Sequence, residues 1–132
     1  MTSKANAVLI VFCAKEGSAN FGGIYNAVLS QIAALKSVGV TVIFWGASES
    51  IASEASKAGA AAVFAHPAIH NGMKPLMNSA CRSAAREARR HGVRDVIHHS
   101  GRTWFWGGVF FPRAKQSQVL HRHRLGSSRR VE

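Results

Sequence analysis

The chain has 132 residues, 47% of them hydrophobic, which gives one globular domain with its own core and excludes an intrinsically disordered chain. It carries 17 Lys+Arg against 6 Asp+Glu, a formal net charge of +11 before its seven histidines are counted. An anionic partner is therefore expected: a phosphorylated substrate, an acidic lipid surface or nucleic acid. Two cysteines, Cys13 and Cys81, exclude a disulfide framework and read as reduced thiols of a cytosolic protein.

After residues 1–6 comes an apolar run, 7–13 (AVLIVFC), too short to span a membrane and apolar enough for a strand covered on both faces. A polar loop leads to Asn20-Phe21-Gly22-Gly23-Ile24-Tyr25-Asn26. Ile24, Val28, Leu29, Ile32 and Leu35 then repeat at helical spacing, so a helix is expected over about 22–38, stopped by Gly39. Adjacent glycines at a helix start let the backbone approach a ligand, and the unpaired first-turn N–H groups favour an anion. Gly22 and Gly23 are thus either a phosphate or sugar-phosphate cradle or simply a tight turn. Neither GxGxxG nor GxxxxGK[ST] is present.

The β-branched and aromatic stretch 40–45 (VTVIFW) is a second strand. Residues 48–57 read as a helix capped by Ser48 and closed by Gly59. A short strand at 61–65 and a proline-containing loop at 66–75 precede a third helix over about 76–91, ending at Gly92. Its Arg82, Arg86, Arg89 and Arg90 share a face. Ala80, Ala84, Ala85 and Ala88 give the side that packs. That basic face is either solvated or a docking surface for an anionic membrane. A fourth strand covers 95–99 (DVIHH), followed by Ser100-Gly101-Arg102 and an aromatic patch of Trp104, Phe105, Trp106, Phe110 and Phe111. The patch is read as core, or as contact surface for another domain. A short last strand is expected at 118–121, then a polar, basic end.

Alternating strands and helices with short connections predict the α/β class, a doubly wound, Rossmann-like parallel sheet of about five strands. Right-handed crossovers give the order 3-2-1-4-5, with a ligand crevice at the carboxyl ends of strands 1 and 4. The glycine turn, His98, His99 and Arg102, and His121 and His123 all fall at carboxyl ends of strands.

In this order and spacing, GGIYNAVLSQIAALKSVG followed by VTVIFWG, then DVIHHSGR (95–102), then VLHRHRLG (119–126), resembles the N-terminal half of a family-4, GT-B-fold retaining glycosyltransferase. DVIHHSGR is similar to that family's DVIHxHxxR strand. The resemblance implies residues 1–121 as a Rossmann-like, acceptor-side domain and 122–132 as a basic C-terminal end. It also implies a nucleotide-sugar donor, a glycan or lipid acceptor, no cofactor or metal, and a C-terminal donor domain that this chain does not contain. Read this way the chain is truncated and inactive alone, cytoplasmic, and able to sit at the inner membrane face.

By the same resemblance, Gly22 and Gly23 approach a phosphate of donor or acceptor, and His123, with His121 as the competitor, is the active-site histidine that contacts the donor sugar. His98 and His99 point to opposite faces, one structural and the other, taken as His99, able to hydrogen-bond a substrate hydroxyl. Arg102 could hold a phosphate or carboxylate through its planar fork. Two other classes compete. A basic nucleic-acid- or polyphosphate-binding module suits the charge, but no RNP, KH or helix-turn-helix pattern appears, and no nucleic acid is expected. A dinucleotide-dependent oxidoreductase wants an acid at the end of strand 2, where Trp45-Gly46 stands.

Overall fold

Strand β1 (Ala7–Phe12) lies at the middle of a five-stranded sheet of order β3-β2-β1-β4-β5. The computed structural model describes residues 7–12, 21–70, 73–99 and 103–119. Around β1 stand β2 (Thr41–Gly46), β3 (Ala62–Ala65), β4 (Val93–His98) and β5 (Lys115–Gln118), and every pairing is parallel. The helices are α1 (Phe21–Ser37), α2 (Glu49–Ala58), α3 (Lys74–Met77), α4 (Ser79–Arg89) and α5 (Trp104–Phe110), with a 3-10 turn at Pro67–His70.

Period-two alternation divides the strand residues between two cores. On one face Ile10, Phe12 and Phe44 pack against Val28 and Ile32 of α1 and Ile51 of α2. On the other, Leu9, Val11 and Trp45 meet Cys81 and Ala85 of α4 and Trp106 of α5. The continuous apolarity of β1 and β2 follows from this double covering. It is the Rossmann-like, doubly wound α/β arrangement that the alternation of elements predicts. The helix ends expected at Gly39, Gly59 and Gly92 are also found: all three have left-handed φ, 88°, 127° and 73°. Ser48 caps α2 by accepting from the Ile51 N–H at 3.4 Å.

Three expectations need correction. The helix expected over 76–91 is two helices. Asn78 is extended (φ −101°, ψ 123°), and its Oδ1 accepts from Cys81 N–H at 2.9 Å, so it caps α4 and ends α3. Of the alanines assigned to the packed side, Ala85 and Ala88 are buried and Ala84 is half-buried, but Ala80 is exposed and Cys81 takes its place in the core. The core reading of the aromatic patch holds for Trp106, Phe110 and Phe111, which are buried; α5, which carries the patch up to Phe110, is the crossover between β4 and β5. The fifth strand is the polar KQSQ, Lys115–Gln118, which begins three residues before the expected 118–121; residues 120 and 121 lie outside the described residues. The ladder Asp95↔Lys115 to His98↔Gln118 forms it, and an edge strand reaching solvent needs no hydrophobic alternation. Val119 adds one bond, its N–H to His98 O at 2.8 Å.

Candidate functional site

The sheet order reverses between β1 and β4, and their carboxyl ends are joined there. Val11 pairs with His98, and the His99 N–H donates to Val11 O at 2.8 Å. Crevices at such reversals are where open α/β sheets bind ligands. Above this point the Phe12 ring stacks on Tyr25 of α1 (6.3 Å, 19°) and takes the His99 ring edge-on (6.5 Å, 87°). A chain of three rings thus ties the start of α1 to the tip of β4. Gly22 and Gly23 lie in the first turn of α1, less than one turn before Tyr25, where helical N–H groups have no intrahelical acceptor.

The two histidines take opposite faces, as the alternation requires. His98 is fully buried on the α5 side. Gln116 donates through Nε2 to Gly107 O (3.2 Å) and Phe111 O (3.1 Å), which turns its Oε1 toward His98 Nε2 at 2.7 Å. Nε2 therefore carries the proton, and Nδ1 accepts from the Thr103 hydroxyl. Burial holds His98 below the ordinary imidazole range, with the Gln116 bond opposing in part. It is a neutral structural group that locks β4, β5 and α5 together. His99, half-buried on the α1 side, donates Nε2–H to Gln31 Oε1 at 2.9 Å. It is therefore held by α1 beside the switch point.

The arginines of α4 differ in their engagements. Arg89 donates to Phe110 O at 3.0 Å, satisfying a carbonyl at the end of α5. Arg90 pairs with Glu87 at 3.2 Å. Arg82 makes a long bond to Leu76 O (3.4 Å), and Arg86 is exposed. Arg102, His121 and His123 lie outside the described residues, so the site assembled here is Gly22, Gly23 and His99. Sequence reasoning did not find Gln31, Thr103 or Gln116. A weak signal existed in Gly107, a glycine inside an aromatic run, where a close backbone approach is a standard reason for the residue.

The fold defines a Rossmann-like, doubly wound α/β domain whose strand order reverses between β1 and β4. No family model matches the sequence, and no curated protein matches it. The fold is shared with the crystal structure of a glycosyltransferase from Rickettsia africae ESF-5, at a TM-score of 0.67 and 17% identity over 92% of this chain. The chain spans 32% of that protein's length, so the likeness shows a glycosyltransferase-like fold over about a third of it. Among the described residues no helix is long and apolar enough to cross a membrane.

Proposed function

We propose that this chain forms the acceptor-side, N-terminal half of a GT-B-fold retaining glycosyltransferase of family 4, which moves a sugar from a nucleotide-sugar to an acceptor hydroxyl. The observation that carries the reading is the glycine-bearing start of α1 tied through Tyr25 and Phe12 to His99 at the β1/β4 reversal. In this reading the first-turn amides of Gly22 and Gly23 hold a phosphate, assisted by Arg102. His99 orients a hydroxyl, and His123 or His121 meets the donor sugar. A second α/β domain binds the nucleotide, so this domain alone binds phosphate without turnover.

Titration of the isotope-labelled chain with uridine diphosphate tests it. The Gly22 and Gly23 amide resonances should move saturably, and Gly23→Val should weaken binding at least about tenfold while the sheet resonances stay in place. Normal binding by Gly23→Val would remove the glycine turn from the site. A steep salt dependence with no response at these amides would favour the basic polyphosphate- or nucleic-acid-binding alternative.

The acceptor side of the reading includes a peripheral membrane contact. Met73, Met77, Phe105 and Val109 are more than half exposed, on or next to α3 and on α5, which pack against each other. Exposed Lys74, Arg82 and Arg86 belong to the same region, on α3 and α4. Apolar side chains rimmed by cations suit an anionic lipid surface. The double change Arg82→Ala/Arg86→Ala should weaken flotation with phosphatidylglycerol vesicles by about 2 kcal/mol, roughly 30-fold. Unchanged flotation, or equal binding to neutral vesicles, would refute the contact.

A further inference from the structure

Away from the switch point, a cavity of about 380 Å³ opens between α4 and the β2–β3 edge of the sheet. Trp45, Phe64 and His66 line it from the sheet side, and Cys81, Ala84 and Glu87 from α4. Its size is in the range of small-molecule sites. Trp45 is fully buried, and among the described residues its Nε1 is the one buried side-chain nitrogen or oxygen without a hydrogen-bond partner. A buried donor left unmet is unfavourable, so a ligand oxygen that meets it gains from the contact. The contrast lies next to it: Trp106, 4.9 Å away between ring centroids, gives its Nε1–H to Ile69 O at 2.8 Å.

The charge of the lining narrows the ligand. The chain has 17 Lys+Arg, yet among the described residues none lines this cavity. The one charged lining residue is Glu87, whose carboxylate pairs with Arg90. His66 accepts the Ala68 N–H on Nδ1 at 3.0 Å, so Nδ1 carries no proton. Among the described residues an anion would find no cation in the lining, and the nearby Arg90 is already engaged by Glu87. The rest of the lining is uncharged and mostly apolar, Phe64, Ala84 and the Cys81 thiol, which burial keeps protonated, with Ser83 the one hydroxyl. Phe64 is the half-buried one of three aromatic rings around Trp45, whereas Trp106 and Phe110 are buried, so the groove reaches the indole on its Phe64 side.

We propose that this groove binds a small neutral molecule that offers a carbonyl or hydroxyl oxygen to the Trp45 indole N–H and lays an apolar body along Phe64 and Ala84. The inference does not rest on sugar transfer, because the groove is built on β2 and β3 and the switch point on β1 and β4.

The test follows the indole N–H resonances of the labelled full chain with three probes: acetanilide, toluene, which lacks an acceptor, and benzoate, which carries a charge. Acetanilide should shift the Trp45 resonance saturably and leave that of Trp106 in place. It should bind roughly two- to tenfold more tightly than toluene, the worth of one hydrogen bond, and benzoate should bind more weakly than either. Trp45→Phe keeps an aromatic wall without the donor, so the preference over toluene should disappear. Ala84→Leu fills the groove without touching the indole, and should abolish binding of both neutral probes. No saturable shift up to the solubility limit of acetanilide would overturn the proposal. So would equal binding of benzoate, or binding that survives Ala84→Leu in a folded chain.

Discussion

Replacing Trp106 by alanine should cost about 3–5 kcal/mol, the upper range for truncating a large buried aromatic side chain. The ring is fully buried, 4.9 Å from Trp45 and 5.9 Å from Phe110 between centroids. Its Nε1–H crosses to Ile69 O in the 3-10 turn at 2.8 Å. Truncation therefore opens a cavity where β2, α5 and the 3-10 turn converge, and leaves a buried carbonyl without its donor. Domains of this size have about 5–15 kcal/mol of stability, so the loss removes from about a fifth to nearly all of that margin. Trp106→Phe keeps most of the apolar contact and should lose about 1–2 kcal/mol, mainly the hydrogen bond. Urea unfolding of the three proteins gives the comparison. A loss below about 1 kcal/mol for the alanine variant would mean that the aromatic cluster is not the keystone of this face.

The second large effect is expected from a single methyl group. A Cβ on Gly107 would lie 2.4 Å from His98 Cε1, 2.7 Å from its Nε2 and 2.9 Å from Gln116 Oε1. These are not free chain ends: both side chains are fixed by the network that joins β4, β5 and α5. Alanine is the better helix former by about 0.5–1 kcal/mol, and that gain is overrun by overpacking of about 1–3 kcal/mol and by breaking the bonds of a buried imidazole. Gly107→Ala should therefore destabilise by about 2–4 kcal/mol, whereas Gly108→Ala, with nothing within 4 Å of its added Cβ, should be neutral or slightly stabilising.

The same network sets a pH signature. The folded pKa of His98 is lowered, so the unfolded state binds more protons once pH drops below the ordinary value of 6.5. The stability from the neutral buried ring is full above that pH and is lost as pH falls toward the folded pKa. Gly107→Ala, by displacing the ring toward water, should flatten this dependence as well as lower the plateau. Unfolding midpoints between neutral and mildly acid pH, for both proteins, would show it. A parallel pair of curves would mean that His98 is not the group responsible.

Much of this architecture was legible in the residues. Strands buried on both faces must be apolar at every position, and 7–12 and 41–46 are nearly so; helices that end in a left-handed residue call for glycine, and Gly39, Gly59 and Gly92 supply it. With that alternation and right-handed crossovers, the order 3-2-1-4-5 has little competition. Gly22 and Gly23 could be placed near the start of α1, though they lie inside its first turn and not in a turn ahead of it, and the histidine pair at the end of β4 could be placed as well, because both adjoin elements with strong local signals.

Tertiary structure alone decided the rest. KQSQ is a strand only because β4 offers it a backbone ladder, and ladder bonds do not depend on side-chain type. The seven residues of α5, two of them glycine, have low helix propensity and are held by Trp106 and Phe110 packing under the sheet. Asn78 splits a run of good helix formers because one side-chain oxygen meets one N–H. Which partners His98 and His99 take was left open by the chain and decided by residues far along it, Gln116 for one and Gln31 for the other. Local propensity and hydrophobic period are written residue by residue, so a sequence carries them alone. Which polar groups meet once the chain is folded depends on contacts between distant segments, and only the packed sheet and its helices specify those.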